Sequence, residues 1–378
     1  MGLLDYYKQF EGLSEEEVNQ GLREEAAERR RKALTRVETL DLSQTTWPEL
    51  PHPRIVNAIT FVARRGLHEY PHLRVGDDLR IELAERHGVE PEQLVLGNGA
   101  AELLSAATRA LLSPGQRLLS HWPSYPLYPL MARRAHGQAV RVEGGVEELI
   151  EAARGDQEVR AIALASPNDP TGELLTKAEL ERLLRELPEG VAVLLDEALV
   201  EYVDAQSTNT SLELLAEHPR LLVFRSFSKA WGLAGLRVGY VLGAPGSGPL
   251  LAELEPDLGV SELSQAGALE ALRSCSELID RRVDAIRAER PRVASALRVL
   301  GFDVQDGQAN FLWAAHPDLS GAELAARLAQ TGVLVAAGDA LGEPHHVRIG
   351  LRSKQASDRL LDAVEKALEV PLPEIPPS

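Results

Sequence analysis

The stretch LLVFRSFSKAWGLAGLRVGYVLG, residues 221–243, decides the fold. Two apolar runs, LLVFRSFS and VGYVLG, are each short enough for a strand. The segment between them is made of small residues, serines and glycines, and within it Lys229 is flanked by Ser226, Phe227, Ser228, Ala230, Trp231 and Gly232, with Arg237 eight positions on. A solvated lysine usually sits among other charges on a helix face. The surroundings of Lys229 read as buried, and an amine taken out of water needs a chemical reason to be there.

Moving outward, short strand-like runs alternate with helical patterns from about residue 90: QLVLG, AAELLSAATRALL, RLLSHW, QAVRVE, VEELIEAAR, AIALAS, KAELERLLREL and VAVLLDEA. Such alternation implies right-handed crossovers and an α/β fold whose large domain is a mainly parallel sheet covered by helices on both faces. Two long helical patterns follow, SELSQAGALEALRS and SCSELIDRRVDAIRAERPRVASALRVL, and Pro291 is expected to kink or divide the second. Then FDVQ, NFLWAA, VLVAA and HVRIGL alternate with the helical SGAELAARLAQ and SDRLLDAVEKALE. These predict a smaller α/β domain, built from the C-terminal part and the N-terminal segment. Ser14 and Glu17 form a capping box before a charged stretch reaching about Leu34, which reads as an arm-like helix. SQTTWPELPHP, with three prolines in six positions, is an extended connection. The expected division is an N-terminal arm over 1–45, a large domain over 46–255 whose first residues can join the small one, and a small domain over 256–378 ending in the proline-rich tail PLPEIPPS.

Over 378 residues, a hydrophobic fraction of 44% and a charged fraction of 26% are those of an ordinary soluble globular protein. No uninterrupted apolar run reaches the roughly 18 residues a membrane span requires. A formal net charge of -17 would repel a phosphate backbone, and the only dense basic stretch, LREEAAERRRK, is mixed with acids, so nucleic acid is not an expected partner. Cys275 is the one cysteine and cannot form an internal disulfide, and MGLLDYYKQFEG lacks a basic region followed by an apolar run. The expected compartment is the cytoplasm. With no neighbouring histidine or catalytic motif, Cys275 reads as a helix-associated thiol.

Ser226, Ser228 and Arg237 offer two hydroxyls and a guanidinium within a dozen residues, a set suited to a phosphate. Walker-type GxxxxGK[ST] is absent, and GAPGSGPL at 243–250 does not place GxGxxG at a strand-to-helix turn. LGNGAAELL, residues 96–104, does follow a strand and open a helix, so the backbone N–H groups of Gly99, Ala100 and Ala101 can hold a phosphate against the helix dipole. SPNDPTG, residues 166–172, makes a rigid turn after the strand AIALAS, where open α/β sheets bind ligands, and Asn168 can present its amide into the crevice; an ordinary turn would account for it equally. Asp196 ends the apolar run VAVLLD, where a carboxylate is costly without a cation such as a pyridinium nitrogen or a metal. The scattered histidines supply no ligand set. HEYPH, residues 68–72, matches H-E-x-x-H, but Pro71 lies between the histidines and disfavours the single helix a zinc site needs. His345 and His346 read as loop residues.

The ordered series NGAAE, PSYPLY, SPNDPTG, DEA, SFSK and GLRVGY resembles the fold-type I aminotransferases that use pyridoxal 5'-phosphate, and among them is most similar to histidinol-phosphate aminotransferase and its paralogues. The likeness covers about residues 40 to 365. It implies that Lys229 forms the Schiff base with the cofactor and moves protons as base and acid, and that Asp196 pairs with the pyridinium nitrogen. Asn168 would donate to the ring O3', and Tyr125 would stack on the ring. Ser226, Ser228, Arg237 and the backbone of Gly99, Ala100 and Ala101 would hold the phosphate. Arg348 would receive the substrate carboxylate, or the phosphate of a histidinol-phosphate-like amine. Tyr70 would reach the phosphate of a neighbouring subunit, making a homodimer obligatory. The substrates would be an L-amino acid and a 2-oxo acid.

Three positions depart from the pattern. Leu199 stands where the family has a tyrosine bonding O3', and Tyr202, three residues on, would face the other way, so the pKa of the cofactor–lysine linkage is expected to be raised. Ala337 stands at or near a common arginine, and Trp47 replaces an asparagine-containing stretch near the expected substrate entrance. Both favour a smaller or more apolar amino acid over histidinol phosphate. A lyase or decarboxylase on the same cofactor is the alternative activity. A non-catalytic relative is the third, although Lys229, Asp196, Asn168 and Arg237 are all retained.

Overall fold

The computed structural model describes residues 39–71 and 73–369. The arm expected over Ser14 to Leu34 and the proline-rich tail lie outside the described residues. The strands are β1 Leu40–Asp41, β2 Leu94–Gly97, β3 Arg117–Trp122, β4 Gln138–Glu143, β5 Val159–Ala165, β6 Ala192–Asp196, β7 Leu221–Ser226, β8 Gly239–Leu242, β9 Asp303–Val304, β10 Phe311–Ala315, β11 Val333–Leu334, β12 Ala336–Ala337 and β13 His346–Gly350.

Seven of them form one sheet in the order β2-β8-β7-β6-β5-β3-β4. All run parallel except β8, which is antiparallel to both its neighbours. Every residue of β6 and β7 is buried, as helices on both faces require. Side chains alternate between the two faces. Val193, Leu195, Leu221 and Val223 join the core that includes Leu183 of the helix Lys177–Glu186. Leu194, Leu222 and Phe224 join the other, with Leu103 of the helix Ala100–Leu111 and Met131 of the helix Leu127–Arg134.

A second sheet, β12-β13-β10-β9, is antiparallel throughout. β1 pairs in parallel with β11, so the N-terminal segment is tied to the C-terminal unit. Residues 39–45, assigned above to the arm, therefore run as extended chain rather than helix. VLVAA divides at Val335 between two sheets. His346 is corrected from loop to strand: Val347 and Ile349 alternate into the core, and the imidazole stacks on Trp313 at 4.8 Å.

Pro291 does not divide its helix, which runs unbroken over Ser276–Val299. The loss of one backbone hydrogen bond and a ring clash cost about 3 kcal/mol. Against it stands a buried stripe of Val283, Ile286, Arg290, Val293 and Leu297, each apolar member of which contributes about 1.5 to 3 kcal/mol. Cys275 is buried where this helix meets Glu262–Ser274, and burial pushes its thiol pKa up, which makes it a poor nucleophile. No helix among the described residues is long and apolar enough to cross a membrane.

Candidate active site

The strand register gathers the chemistry at one edge. Ala165 lies opposite Asp196, Asp196 opposite Phe224, Ser226 opposite Gly239, and Gly97 opposite Gly239. The carboxyl ends of β2, β3, β5, β6 and β7 thus meet the start of the reversed strand β8, the position at which open α/β sheets bind ligands. A cavity of about 210 Å³ opens there, with Ala100, Tyr125, Asp169, Asp196, Lys229 and Arg237 in its wall.

One end of the cavity is an anion cradle. Gly99 caps the helix Ala100–Leu111 with φ 95°, in the region that favours glycine. A Cβ there would fall 2.3 Å from Nη2 of Arg237, so the missing side chain is what lets the guanidinium reach the helix N-terminus. Arg237 itself has φ 53°, and its Nη1 donates to the Ala234 carbonyl at 3.0 Å and to Ser228 Oγ at 3.4 Å. Ser226 Oγ accepts from the Ser228 N–H at 3.0 Å. The helix N-terminus, both serines and Arg237 line one end of the cavity, and a cradle of this kind fits a phosphate.

At the other end Asp196 is buried. Desolvation pushes its carboxyl up to about 6, against the pull of the Ala198 N–H at 3.0 Å, the Tyr128 hydroxyl at 3.1 Å and the charge of Lys229. Tyr128 belongs to PSYPLY but was not foreseen as a site residue. It is fully buried, and its ring meets that of Tyr125 edge-on at 5.8 Å. Tyr125 remains 39% exposed and lines the cavity.

Lys229 stands between these ends. Desolvation lowers its amine pKa, opposed by Asp169 and Asp196 and aided by Arg348 and Arg237. Its Nζ donates to Oγ1 of Thr45, a residue the sequence did not single out. Thr45 is brought here because Asn310 Nδ2 donates to its carbonyl at 2.9 Å and the Gly350 N–H donates to the Leu42 carbonyl at 2.7 Å.

Asn168 requires a correction. Its amide nitrogen is spent on the Pro123 carbonyl at 3.0 Å and Thr171 Oγ1 at 2.9 Å, and its oxygen accepts from Ser124 Oγ at 2.7 Å. These bonds turn it away from the cavity and lock the SPNDPTG turn. The next residue, Asp169, is the one in the cavity wall, paired with Arg348 of β13 at 2.5 Å. Leu199 lines the cavity, whereas Tyr202 is buried elsewhere. Trp47 is also corrected: it lies under Arg282, 4.9 Å from the guanidinium carbon, and lines a separate cavity. Tyr70 is 76% exposed and, within one chain, lines another hollow with Leu258. Around it the helix Pro53–Gly66 ends before Leu67, so residues 67–71 are not the helix that an H-E-x-x-H zinc site needs; His72 lies outside the described residues.

The chain is also similar to known proteins. Residues 37–364 match the family described as aminotransferase class I and II. The aromatic amino acid aminotransferase of Streptomyces coelicolor is 35% identical over 72% of this chain and 76% of its own. Histidinol-phosphate aminotransferase 1 of Nitrosococcus oceani is 33% identical over 84% of this chain and 86% of its own. The fold matches the solved histidinol-phosphate aminotransferase of Sinorhizobium meliloti with a TM-score of 0.77 at 22% identity, covering 88% and 91% of the two chains. A nearly full-length family match and relatives above 30% identity, together with a lysine, a buried acid and an anion cradle at one sheet edge, mean that this chain belongs to the class I and II aminotransferases.

Proposed function

We propose that this aminotransferase moves an amino group between an L-amino acid and a 2-oxo acid with Lys229 as its catalytic amine, and that it favours amino acids with apolar or aromatic side chains. One observation carries the reading: a desolvated lysine, a buried acid and a phosphate cradle share one cavity. Pyridoxal 5'-phosphate, the cofactor also bound in the Sinorhizobium meliloti structure, supplies when bound an electron sink for the pair left behind at the amino acid's Cα.

The chain's own residues do the rest. The lowered pKa of Lys229 keeps a fraction of the amine neutral, so it can take a proton at one carbon and return it at another. Asp196, held by Tyr128 and the Ala198 N–H, places a carboxylate where a cationic ring nitrogen would need one. Arg237 offers parallel N–H groups to a phosphate, joined by Ser226, Ser228 and the N–H groups of Gly99, Ala100 and Ala101. Tyr125 covers a ring face. Arg348 receives the substrate carboxylate.

The preference for apolar substrates is supported by Leu104, Pro167, Leu199 and Tyr125 in the cavity wall, where Arg237 is the one arginine among the described lining residues. It accords with the name of the Streptomyces coelicolor relative. The homodimer belongs to the same reading. Exposed Val56, Phe61, Leu67, Tyr70 and Leu258 offer an apolar surface to a second copy, whose Tyr70 would complete the phosphate site. A cytoplasmic location is part of the proposal, in keeping with a single buried thiol.

The test is a panel of amino donors read by the cofactor spectrum. Phenylalanine should convert the cofactor to its amine form at least roughly tenfold more efficiently than histidinol phosphate does. Release of ammonia or CO2 without that conversion would reject transamination.

The cradle makes a separate prediction. Gly99→Ala combines a strained φ with a Cβ that displaces Arg237, so the cofactor should bind roughly 10 to 100 times more weakly, measured by equilibrium dialysis. Wild-type affinity in this variant would show that Arg237 is not a phosphate ligand.

A further inference from the structure

Asp169 has no role in the scheme above, yet it is a buried acid in the wall of the cavity. Its position is fixed from both sides. Asn168 is anchored by Ser124, Pro123 and Thr171, and the Gly172 N–H donates to the Asn168 carbonyl at 2.7 Å. Beyond the turn, the Gln308 N–H donates to the Gly172 carbonyl at 2.6 Å, and a Cβ on Gly172 would meet the Cα of Gly307 at 3.1 Å. The turn is thereby pressed against the C-terminal unit, and the carboxylate faces β13.

There Asp169 Oδ1 accepts from Arg348 Nη1 at 2.5 Å, while Nη2 donates to the Ser43 carbonyl at 3.1 Å. A guanidinium carries five N–H donors in a planar fork. These two contacts use two of the five, so neither Asp169 nor Ser43 takes up the remaining three. The effect of Asp169 is electrostatic. With Asp169 ionised, the pair has no net charge, and a substrate carboxylate arriving at Arg348 meets a cation already offset at close range, in a site where water screens little.

We propose that Asp169 is a specificity-determining residue that competes with the substrate carboxylate for Arg348, so that this enzyme selects its substrates by amine and side chain far more than by carboxylate. The inference rests on the transaminase reading, and within it on Arg348 as the carboxylate receptor. The same carboxylate acts on Lys229, where it opposes the lowering of the amine pKa by burial. Asp169 thus links the anchoring arginine and the catalytic amine.

The holoenzyme is titrated calorimetrically with two unreactive probes, 3-phenylpropanoate and its amide, 3-phenylpropanamide. In the wild type the acid should bind within roughly threefold of the amide, because the Arg348 charge is offset. In Asp169→Asn the acid should tighten roughly tenfold while the amide is unchanged. Adding Arg348→Met to that variant should erase the gain. A wild-type preference for the acid of roughly a hundredfold would overturn the proposal without any mutant. So would an unchanged acid-to-amide ratio in an Asp169→Asn enzyme that still transaminates, and that result would leave the proposed function standing. Failure of every amino acid to convert the cofactor in the wild type strikes instead at the function itself.

Discussion

Replacing Lys229 by alanine should lower kcat for transamination by roughly 10^4-fold or more, since one amine is asked both to hold the cofactor and to carry the proton. Among the described residues the cavity wall offers no substitute. The other charged groups in the cavity wall are the acids Asp169 and Asp196 and the guanidinium of Arg237, none of which is a base near neutrality that also bonds an aldehyde. The loss should not come from misfolding. Lys229 is desolvated in the folded chain, so its charged form is disfavoured there, and removing it takes away a cost along with the bond to Thr45. The melting temperature should therefore hold or rise. A readout independent of turnover is borohydride reduction of the holoenzyme followed by peptide mapping. Wild-type protein should carry the label on Lys229 and the variant none. Label on any other peptide in the wild type would sink the assignment.

What the sequence reveals about this site follows from how tightly each residue is constrained by its neighbours in the chain. Asp196 was legible because a charge ending a wholly apolar strand has one place to be, the carboxyl edge of the sheet. Lys229 and Arg237 were legible for a similar reason, lying in the joint between β7 and β8 that the reversal of β8 returns to that edge. The turn SPNDPTG was also placed, but which of Asn168 and Asp169 faces the cavity depends on three side-chain bonds to Asn168, two of them across 44 and 45 positions of chain. The pairing of Asp169 with Arg348 spans 179 positions and two sheets, and no local pattern announces it. Thr45 was hidden because its place is set by β10 and β13 rather than by its own segment. Tyr128 sat in a motif already noticed, three residues beyond Tyr125. Only the partner, a buried acid at the end of β6, shows why it is there.

Asp196→Asn should lower kcat roughly 10^3-fold and yet make the cofactor-free protein more stable at pH 8. The sign follows from the carboxyl's two environments. In the folded chain it holds its proton up to about 6, against an ordinary 3.8, because burial penalises the charge. Folding therefore takes up a proton between these values. Below 3.8 both states are protonated and Asp196 costs nothing, whereas above about 6 the folded state must keep a buried charge at full cost. The gap is equivalent to about 3 kcal/mol. Asparagine carries no charge, but its single acceptor oxygen can keep only one of the bonds from Tyr128 and the Ala198 N–H, a loss of about 1 kcal/mol. A net gain of about 2 kcal/mol is expected at pH 8; it shrinks as the pH falls, changes sign between about pH 4 and 5, and ends below 3.8 as a loss of about 1 kcal/mol, the hydrogen-bond cost alone. Urea unfolding of both cofactor-free proteins across that range measures it, and a variant less stable than wild type at pH 8 would contradict the account. With the cofactor bound the order should reverse, because the charge that burdens the empty fold is the one a cationic ring nitrogen needs. An acid kept at a cost to stability, and useful only beside a cation, is the physical mark of a site built for this cofactor.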